Sequence, residues 1–557
     1  MDDERAGHAW PERLRRASIE RRCFLGVTGA AGLLAAALLE PEREGTRLTT
    51  PPVLSAGEGP AEAPPLRTPG YPPAPPFSLG VASGDPTPGG FVLWTRLAPD
   101  PLVPGGGMPP GDVGVQWQVA SDERMTRLAA SGTAVAGPAA AHSVHVQVSG
   151  LAPDRWWFYR FRARQPGAGW VTSPVGRTRT LPAAGASPGR LRFAFASCQD
   201  WQAGYYPAWA HLAAEDLDLV VHLGDYIYEN GRRAIRAVRR HEGPEARTLD
   251  GYRARYGLYK SDPALQAAHR AFPFVATWDD HEVANNYAGL EAADPGDQEG
   301  FAARRAAAWQ AWYEHLPVAA SARPSRDRVA LARRVAWGRL ATFHVLDTRT
   351  HRTGQPCGGD LERRCAAATD RAATMLGRAQ ERWLLDGLDR SAAAWNVLAQ
   401  GVVMAPIRVA SLLGDLFNMD QWDGYVAARR RLLDFVAARQ PANPVVISGD
   451  VHSTWINDLH RNPDDPTSPL VATELVGTSI SSSPPRALIG SEPVVRAANP
   501  HVRWVDAAKR GYLRCELTPD AWRTDVRVVD TVRRPTAKVA TAASFVVESG
   551  RPGATIA

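Results

Sequence analysis

At 557 residues the chain is too long for a single hydrophobic core and calls for two or more domains. A content of 44% hydrophobic and 22% charged residues is a globular balance, which excludes a fibrous or wholly disordered protein. The formal net charge of +6 is almost all arginine, since lysine occurs only at Lys260, Lys509 and Lys538; no basic run is interleaved with aromatics, so no specific nucleic-acid surface is expected.

Residues 1–40 read as an export segment. Arg21-Arg22-Cys23-Phe24-Leu25-Gly26 leads into an Ala- and Gly-rich apolar run that ends at Leu39. Paired arginines ahead of such a run look like a twin-arginine (Tat) signal, which makes the Tat export machinery an expected partner and the periplasm or the outside of the cell the expected location. Phe24–Leu39 is 16 residues, short of the roughly 20 that a spanning helix needs, so no transmembrane span is expected in the mature form. No clear cleavage site follows. Residues 41–76, rich in Pro, Glu and Gly and without periodicity, read as a linker.

From Phe77 to Pro182 the pattern is β. GGFVLWTRL, GVQWQVAS, HSVHVQVSGL and WWFYRFRAR are separated by turn signals, as in a small antiparallel sandwich, and Leu151–Phe161 resembles the late strands of fibronectin type III-like domains. His142 and His145 alternate with Val144 and Val146 and read as solvent-facing positions. Between residues 190 and 531 apolar runs alternate with helical stretches, which predicts a layered α/β domain. Residues 532–557 carry little pattern and read as a tail. The arginine cluster Arg232–Arg240 fits either a solvated face or a contact for a phosphate-bearing polymer.

Within the α/β region one pattern recurs three times: a short buried strand with chemistry at its C-terminal end, where open sheets bind ligands. Leu191–Ala196 and Leu217–Leu223 flank a predicted helix and lead to Cys198, Asp225 and Tyr228. Phe272–Thr277 leads to Asp280, His281 and Asn285 or Asn286, and Pro444–Ser448 leads to Asp450 and His452. Uncompensated buried carboxylates would cost several kcal/mol each, roughly, so the pattern points to a metal centre that compensates them. A thiolate, a carboxylate and a phenolate together suit a hard, highly charged cation such as ferric iron. Cys357 and Cys365 flank a short polar loop and form a candidate disulfide outside the cytoplasm, whereas Cys515 reads as core.

The stretches FSLGVASGDP, FAFASCQ, LGDYIYE, TWDDHEVANN, YEHLP, LDTRT, WNVLAQ, NMDQWDGY and SGDVHS together resemble the PhoD-like alkaline phosphatase/phosphodiesterase family of the calcineurin-like metallophosphoesterases, from Phe77 to His452. The resemblance implies an N-terminal antiparallel β-sandwich followed by a four-layer α/β-sandwich catalytic domain. It implies Cys198, Asp225, Tyr228 and His452 as ligands of Fe(3+), with Asp225 bridging to Ca(2+). Asn285 (or Asn286) and Asp450 would complete the calcium side, and Asp280 would be a further ligand or supporting acid. The oxygen donor of Gly449-Asp450-Val451-His452, where the wider superfamily has a nitrogen one, favours calcium over zinc.

The expected activity is hydrolysis of phosphate mono- or diesters. A bridging Asp225 would hold two cations, iron would acidify a water, and His281 would protonate the leaving oxygen. Arg305 or Arg349 could bind a phosphate oxygen, although a structural ion pair is the commoner use of such residues. The rival readings are a zinc or manganese enzyme of nucleotidase or phospholipase D type, and a non-catalytic surface-binding protein. Filled positions throughout the motifs, and Cys198 with Tyr228, argue against both. Replacing Arg21 and Arg22 with lysine is expected to hold folded, active enzyme in the cytoplasm, as read by cell fractionation. Unchanged export would transfer the signal to Arg15-Arg16 or to a route for unfolded chains.

Overall fold

Alternation along the central strands decides the architecture. In Leu191–Ala196, Phe193 and Phe195 face one core while Ala194 and Ala196 face another; Leu219 and Val221 are likewise separated from Val220. In the second sheet Val397 and Val445 share the core of Phe193, whereas Leu398 and Val446 turn to a third cluster. Strands with a buried neighbour on each face must lie between layers. The result is helix, sheet, sheet, helix: the four-layer α/β sandwich.

The computed structural model describes residues 75–557 except 166–168, 232–236 and 412–413. The expected export segment, the linker up to residue 74 and residues 232–236 of the arginine cluster therefore lie outside the described residues. Among the described residues, no helix is long and apolar enough to cross a membrane.

The larger sheet has ten strands. Its centre is parallel: Leu191–Ala196 pairs with Leu219–His222, which pairs with Pro273–Ala276. Four helices cover its outer face, Pro207–Leu212, Leu249–Lys260, Pro263–Ala271 and Phe301–His315. Asp262 caps the third of these through the amides of Ala264 and Leu265, with Pro263 at its first turn. The second sheet has seven strands, with Ala341–Val345, Trp395–Ala399, Pro444–Ser448 and Leu470–Val476 parallel in that order. Helices Gly377–Asp389 and Val426–Arg439 close its far side. Parallel sheets collect their strand C-termini at one edge, and both sheets do so at the same edge.

Three expectations from the sequence are corrected. The N-terminal sandwich exists, but one of its sheets is continuous with the ten-stranded sheet: Val81–Thr87 pairs in parallel with Pro273–Ala276, and Gly90–Arg96 and Ser143–Val148 extend that edge. The approach is close at Gly84, where a Cβ would fall 2.6 Å from the Phe274 carbonyl oxygen. A separate five-stranded sheet, built around Val113–Ala120, Leu128–Ala136 and Trp156–Gln165, packs over this extension. The same junction covers the histidines expected in solvent. His142 is buried, and His145 stacks on Tyr313 at 4.6 Å with Nε2 2.9 Å from the Leu316 carbonyl.

The third correction concerns the C-terminus. Residues 539–548 form a strand antiparallel to Ala521–Val529, and Phe545 and Val547 enter the core between the sheets. Phe545→Ala is therefore expected to cost about 3–5 kcal/mol, seen as a lowered denaturation midpoint. Ile556→Ala, at an exposed position of the same edge, should stay within about 0.5 kcal/mol. Equal, small effects would mean that this strand adds nothing to the core.

Candidate metal centre

The common edge of the two sheets carries an unusual backbone. Cys198, Asp225, Asp450 and His452 have φ of 58°, 56°, 65° and 53°. Left-handed conformations at non-glycine residues cost about 1 kcal/mol or more each and persist only where the surroundings impose them. Here each one ends or follows a parallel strand and turns its side chain over the sheet edge. Two glycines permit the crowding. A Cβ on Gly224 would lie 2.5 Å from the Asp279 Cβ, and one on Gly449 would lie 2.4 Å from the Ser197 Oγ. Glu282 staples the loops, accepting hydrogen bonds from the amides of Asp225 (3.1 Å), Tyr226 (2.7 Å) and Asp279 (2.9 Å).

Three overlapping groups of donor atoms result, each within 4.8 Å: Cys198, Asp225 and His452; Asp225, Asp280 and His281; Asp279, Asp280 and Asp450. Asp225 belongs to two of them, and so does Asp280. The Tyr228 hydroxyl donates to Asp225 Oδ2 at 2.7 Å and lies 3.0 Å from His452 Nε2. Ser482 donates to the Cys198 carbonyl at 2.8 Å and lies 2.8 Å from the Tyr228 oxygen. His452 Nδ1 is 2.8 Å from the Ser483 carbonyl, which places the ring proton there and turns the Nε2 lone pair inward.

The donor set fits cations. Asp225 Oδ1, Asp279 Oδ2 and Asp280 Oδ1 are buried side-chain oxygens without a hydrogen-bond donor, an arrangement that is expensive unless positive charge is supplied. Protonation equilibria carry the same message. Burial, then the neighbouring carboxylates, holds Asp225 and Asp279 well above the usual range. Asp450 is pushed up to about 6 by burial and by Asp280 and Asp420. Burial and Asp225 raise the Cys198 thiol and the Tyr228 phenol. Burial lowers His452 to about 4, so its imidazole is neutral and ready to ligate.

His281 belongs to the same cluster but is held differently. Its Nδ1 lies 2.7 Å from Glu229 Oε2, and its ring stacks on Tyr228 at 4.1 Å. Burial lowers its basicity, but the Glu229, Asp280 and Asp225 carboxylates outweigh that and hold it well above the ordinary histidine value. Glu229 also accepts the Asn285 amide through Oε1 at 2.8 Å. Asn286 turns its side chain to Asp360, donating at 2.8 Å.

The two arginines considered for phosphate binding have partners inside the protein. Arg349 has no exposed side-chain surface. It donates through Nε to Asp279 and makes a two-pronged pair with Asp420, both bonds 2.7 Å. Buried carboxylates on two sides hold it inside the protein. Arg305 donates to the Gly289 carbonyl and lies over the Trp309 ring at 4.3 Å. Cys357 and Cys365 are joined in a disulfide, and Cys515 is buried between the sheets. Sequence reasoning missed Glu229, Asp279, Glu282, Asp420, Gln421 and Ser482. Glu229 and Asp279 sat inside the quoted motifs next to assigned residues, but nothing in their spacing showed which atoms they meet.

A family model described as PhoD-like phosphatase matches residues 193–526, more than half of the chain, and one described as PhoD-like phosphatase, N-terminal domain, matches residues 63–182. This chain belongs to the PhoD-like phosphatase family. It is 45% identical over 484 residues to alkaline phosphatase D of Bacillus subtilis (strain 168), covering 86% of this chain and 82% of that one. A solved structure of PhoD superposes with a TM-score of 0.82 at 43% identity, over 89% of this chain and 93% of that one. The purple acid phosphatase isolated from yellow lupin (Lupinus luteus) seeds shares the fold, with a TM-score of 0.52 at 12% identity, over 85% of this chain and 74% of that one.

For this PhoD-like chain the raised carboxyl groups set a pH dependence. A cation must displace the proton of Asp450, which titrates near 6, while His452 is already neutral at pH 5. The affinity of the metal-stripped protein for an added divalent cation is therefore expected to rise between pH 5 and 7, by up to about tenfold per unit for each proton displaced. Titration calorimetry in two buffers of different ionisation heat reads both the affinity and the proton release. A flat affinity would show that the carboxylates are already ionised.

Proposed function

We propose that this chain is a metal-dependent phosphoric ester hydrolase of the alkaline phosphatase D type. The observation that carries the reading is the set of buried, donor-free carboxylate oxygens at the shared edge of two sheets, in a member of the PhoD-like phosphatase family. Cys198, Asp225, Tyr228 and His452 would hold ferric iron, for which a thiolate and a phenolate are fitting donors. Asp225, Asn285 and Asp450, with Asp280, would hold calcium. The preference for Asn285 is supported by the engagement of Asn286 with Asp360. Bound cations of this kind supply charge neutralisation for phosphoryl oxygens and an acidified water.

The chain's own residues supply orientation and a proton. With Nδ1 donating to Glu229, His281 keeps Nε2 for the cleft, and the stacked Tyr228 ring fixes its plane. The carboxylates around it keep it protonated at neutral pH, so Nε2–H can be delivered to the departing ester oxygen. Gln421 donates to Asp450 and takes the Val403 amide at 2.7 Å, which fixes that carboxylate from outside. Export by the Tat machinery and a location outside the cytoplasm are part of the same proposal, supported by Arg21-Arg22 and the apolar run behind them.

General acid catalysis is typically worth about 10²–10⁴ in rate and matters most for poor leaving groups. His281→Ala is expected to lose a factor in that range on an alkyl phosphate, yet far less on 4-nitrophenyl phosphate, with metal content close to wild type. Equal losses on both esters, or loss of metal, would make His281 a ligand or an anion-binding group instead. A wild-type protein that hydrolyses neither ester would overturn the phosphatase reading.

A further inference from the structure

The disulfide between Cys357 and Cys365 closes residues 357–365 into a loop that touches two supports of the candidate centre. On one side, Asp360 Oδ1 accepts the Asn286 side-chain amide at 2.8 Å. Asn286 is left-handed, with φ of 52°, and its backbone amide donates to Asp280 Oδ2 at 2.6 Å. On the other side, Leu361–Glu362 pairs antiparallel with Phe417–Asn418, and the Asp360 carbonyl accepts the Met419 amide at 2.8 Å. The next two residues are Asp420, which pairs with Arg349, and Gln421, which holds Asp450. Cys357 packs against Ala368, Phe417 and Met419, a small core of their own. Arg364, just before Cys365, lies over the Phe417 ring at 3.9 Å and donates to Asp423 at 2.6 Å.

We propose that this disulfide-closed loop is a clasp across the candidate centre, and that Asp360 is its positioning residue. Asp360 acts through Asn286 on the loop that carries Asn285, while its backbone is tied to the segment that steadies Asp450. The inference rests on the reading that Asn285 and Asp450 hold a cation. A left-handed residue persists where its surroundings impose it, and the Asp360 bond is one of the contacts that impose this one. Without it the turn after Asn285 can relax. The disulfide restricts the conformations open to the loop, so Asp360 is in place before a cation arrives, and the cation need not order it.

Calcium release is measured on the metal-loaded full chain, mixed with excess chelator and a calcium indicator, with iron counted on the same sample. Asp360→Ala is expected to speed release about three- to tenfold, the usual net worth of one hydrogen bond. Iron content should stay at the wild-type level, because Cys198, Tyr228 and His452 are held by other contacts. Asp360→Asn keeps the accepting oxygen and should stay within about twofold of wild type. Replacing Cys357 and Cys365 together with serine should speed release by a similar factor. Asp360→Ala added to that pair should contribute less than about twofold more, since both changes open one clasp. Asp360 is exposed, so its variants should fold even where the serine pair does not.

Release unchanged by Asp360→Ala, equal acceleration by Asp360→Asn, or full additivity with the serine pair overturns the clasp while the metal reading stands. Iron lost together with calcium would show a general loosening and overturns it as well. A wild-type protein that takes up no calcium overturns the underlying reading instead, and the clasp falls with it.

Discussion

Concentrated, buried negative charge is the constraint on which the shared edge of the two sheets depends. Asp225, Asp279, Asp280 and Asp420 are each buried, and Asp450 lies among them. Two like charges about 4 Å apart repel by about 4 kcal/mol in surroundings of effective dielectric near 20. Arg349 answers part of this, pairing with Asp279 and Asp420, and Arg352 adds a second guanidinium on Asp420 at 2.8 Å. The inward oxygens of Asp225 and Asp279 receive no such donor, whereas Asp280 Oδ1 lies 3.6 Å from an Arg349 nitrogen. The protein neutralises the outer side of the cluster with arginine and leaves oxygens of Asp225 and Asp279 on the inner side unpaired.

That division explains the supporting shell. Glu282, itself pushed up to about 7 chiefly by burial, accepts three loop amides and locks two strand ends together. Ser482 and the Ser483 carbonyl hold Tyr228 and His452 from the far side. Glu229 holds His281 and the Asn285 amide at once, so the orientation of this imidazole is tied to the loop that carries the asparagines. The left-handed residues Cys198, Asp225, Asp450 and His452 belong to this scheme: strained turns at the strand ends are stable because the layers beneath them are packed.

The fold makes the convergence possible. Only a sandwich of two sheets with their parallel strands ending at one edge can bring loops after Ala196, His222, Ala276 and Ser448 into one cluster. The N-terminal strands contribute from the opposite side of Pro273–Ala276. By pairing with that strand, Val81–Thr87 makes the first domain an extension of the catalytic sheet, and burial of His142 and His145 follows from the shared boundary.

The sequence by itself determined the layered α/β class, the strand-end positions of Cys198, Asp225, Tyr228, Asp280, His281, Asp450 and His452, and the recurrence of acid and imidazole after buried runs. These are local properties: periodicity reports which faces are buried, and turn residues report where a strand stops. Only the tertiary structure decided which strand ends meet. It decided that Arg349 pairs inward, because its partners Asp279 and Asp420 lie 70 and 71 residues away in the chain. It decided that residues 539–548 form an edge strand, because a weak alternation becomes a strand only when Ala521–Val529 offers a partner and Phe545 a core. It also decided the hold of Glu229 on His281 and of Gln421 on Asp450, which are hydrogen bonds across 52 and 29 residues of chain. Such bonds depend on atom positions fixed by packing, and no pattern along the sequence encodes them.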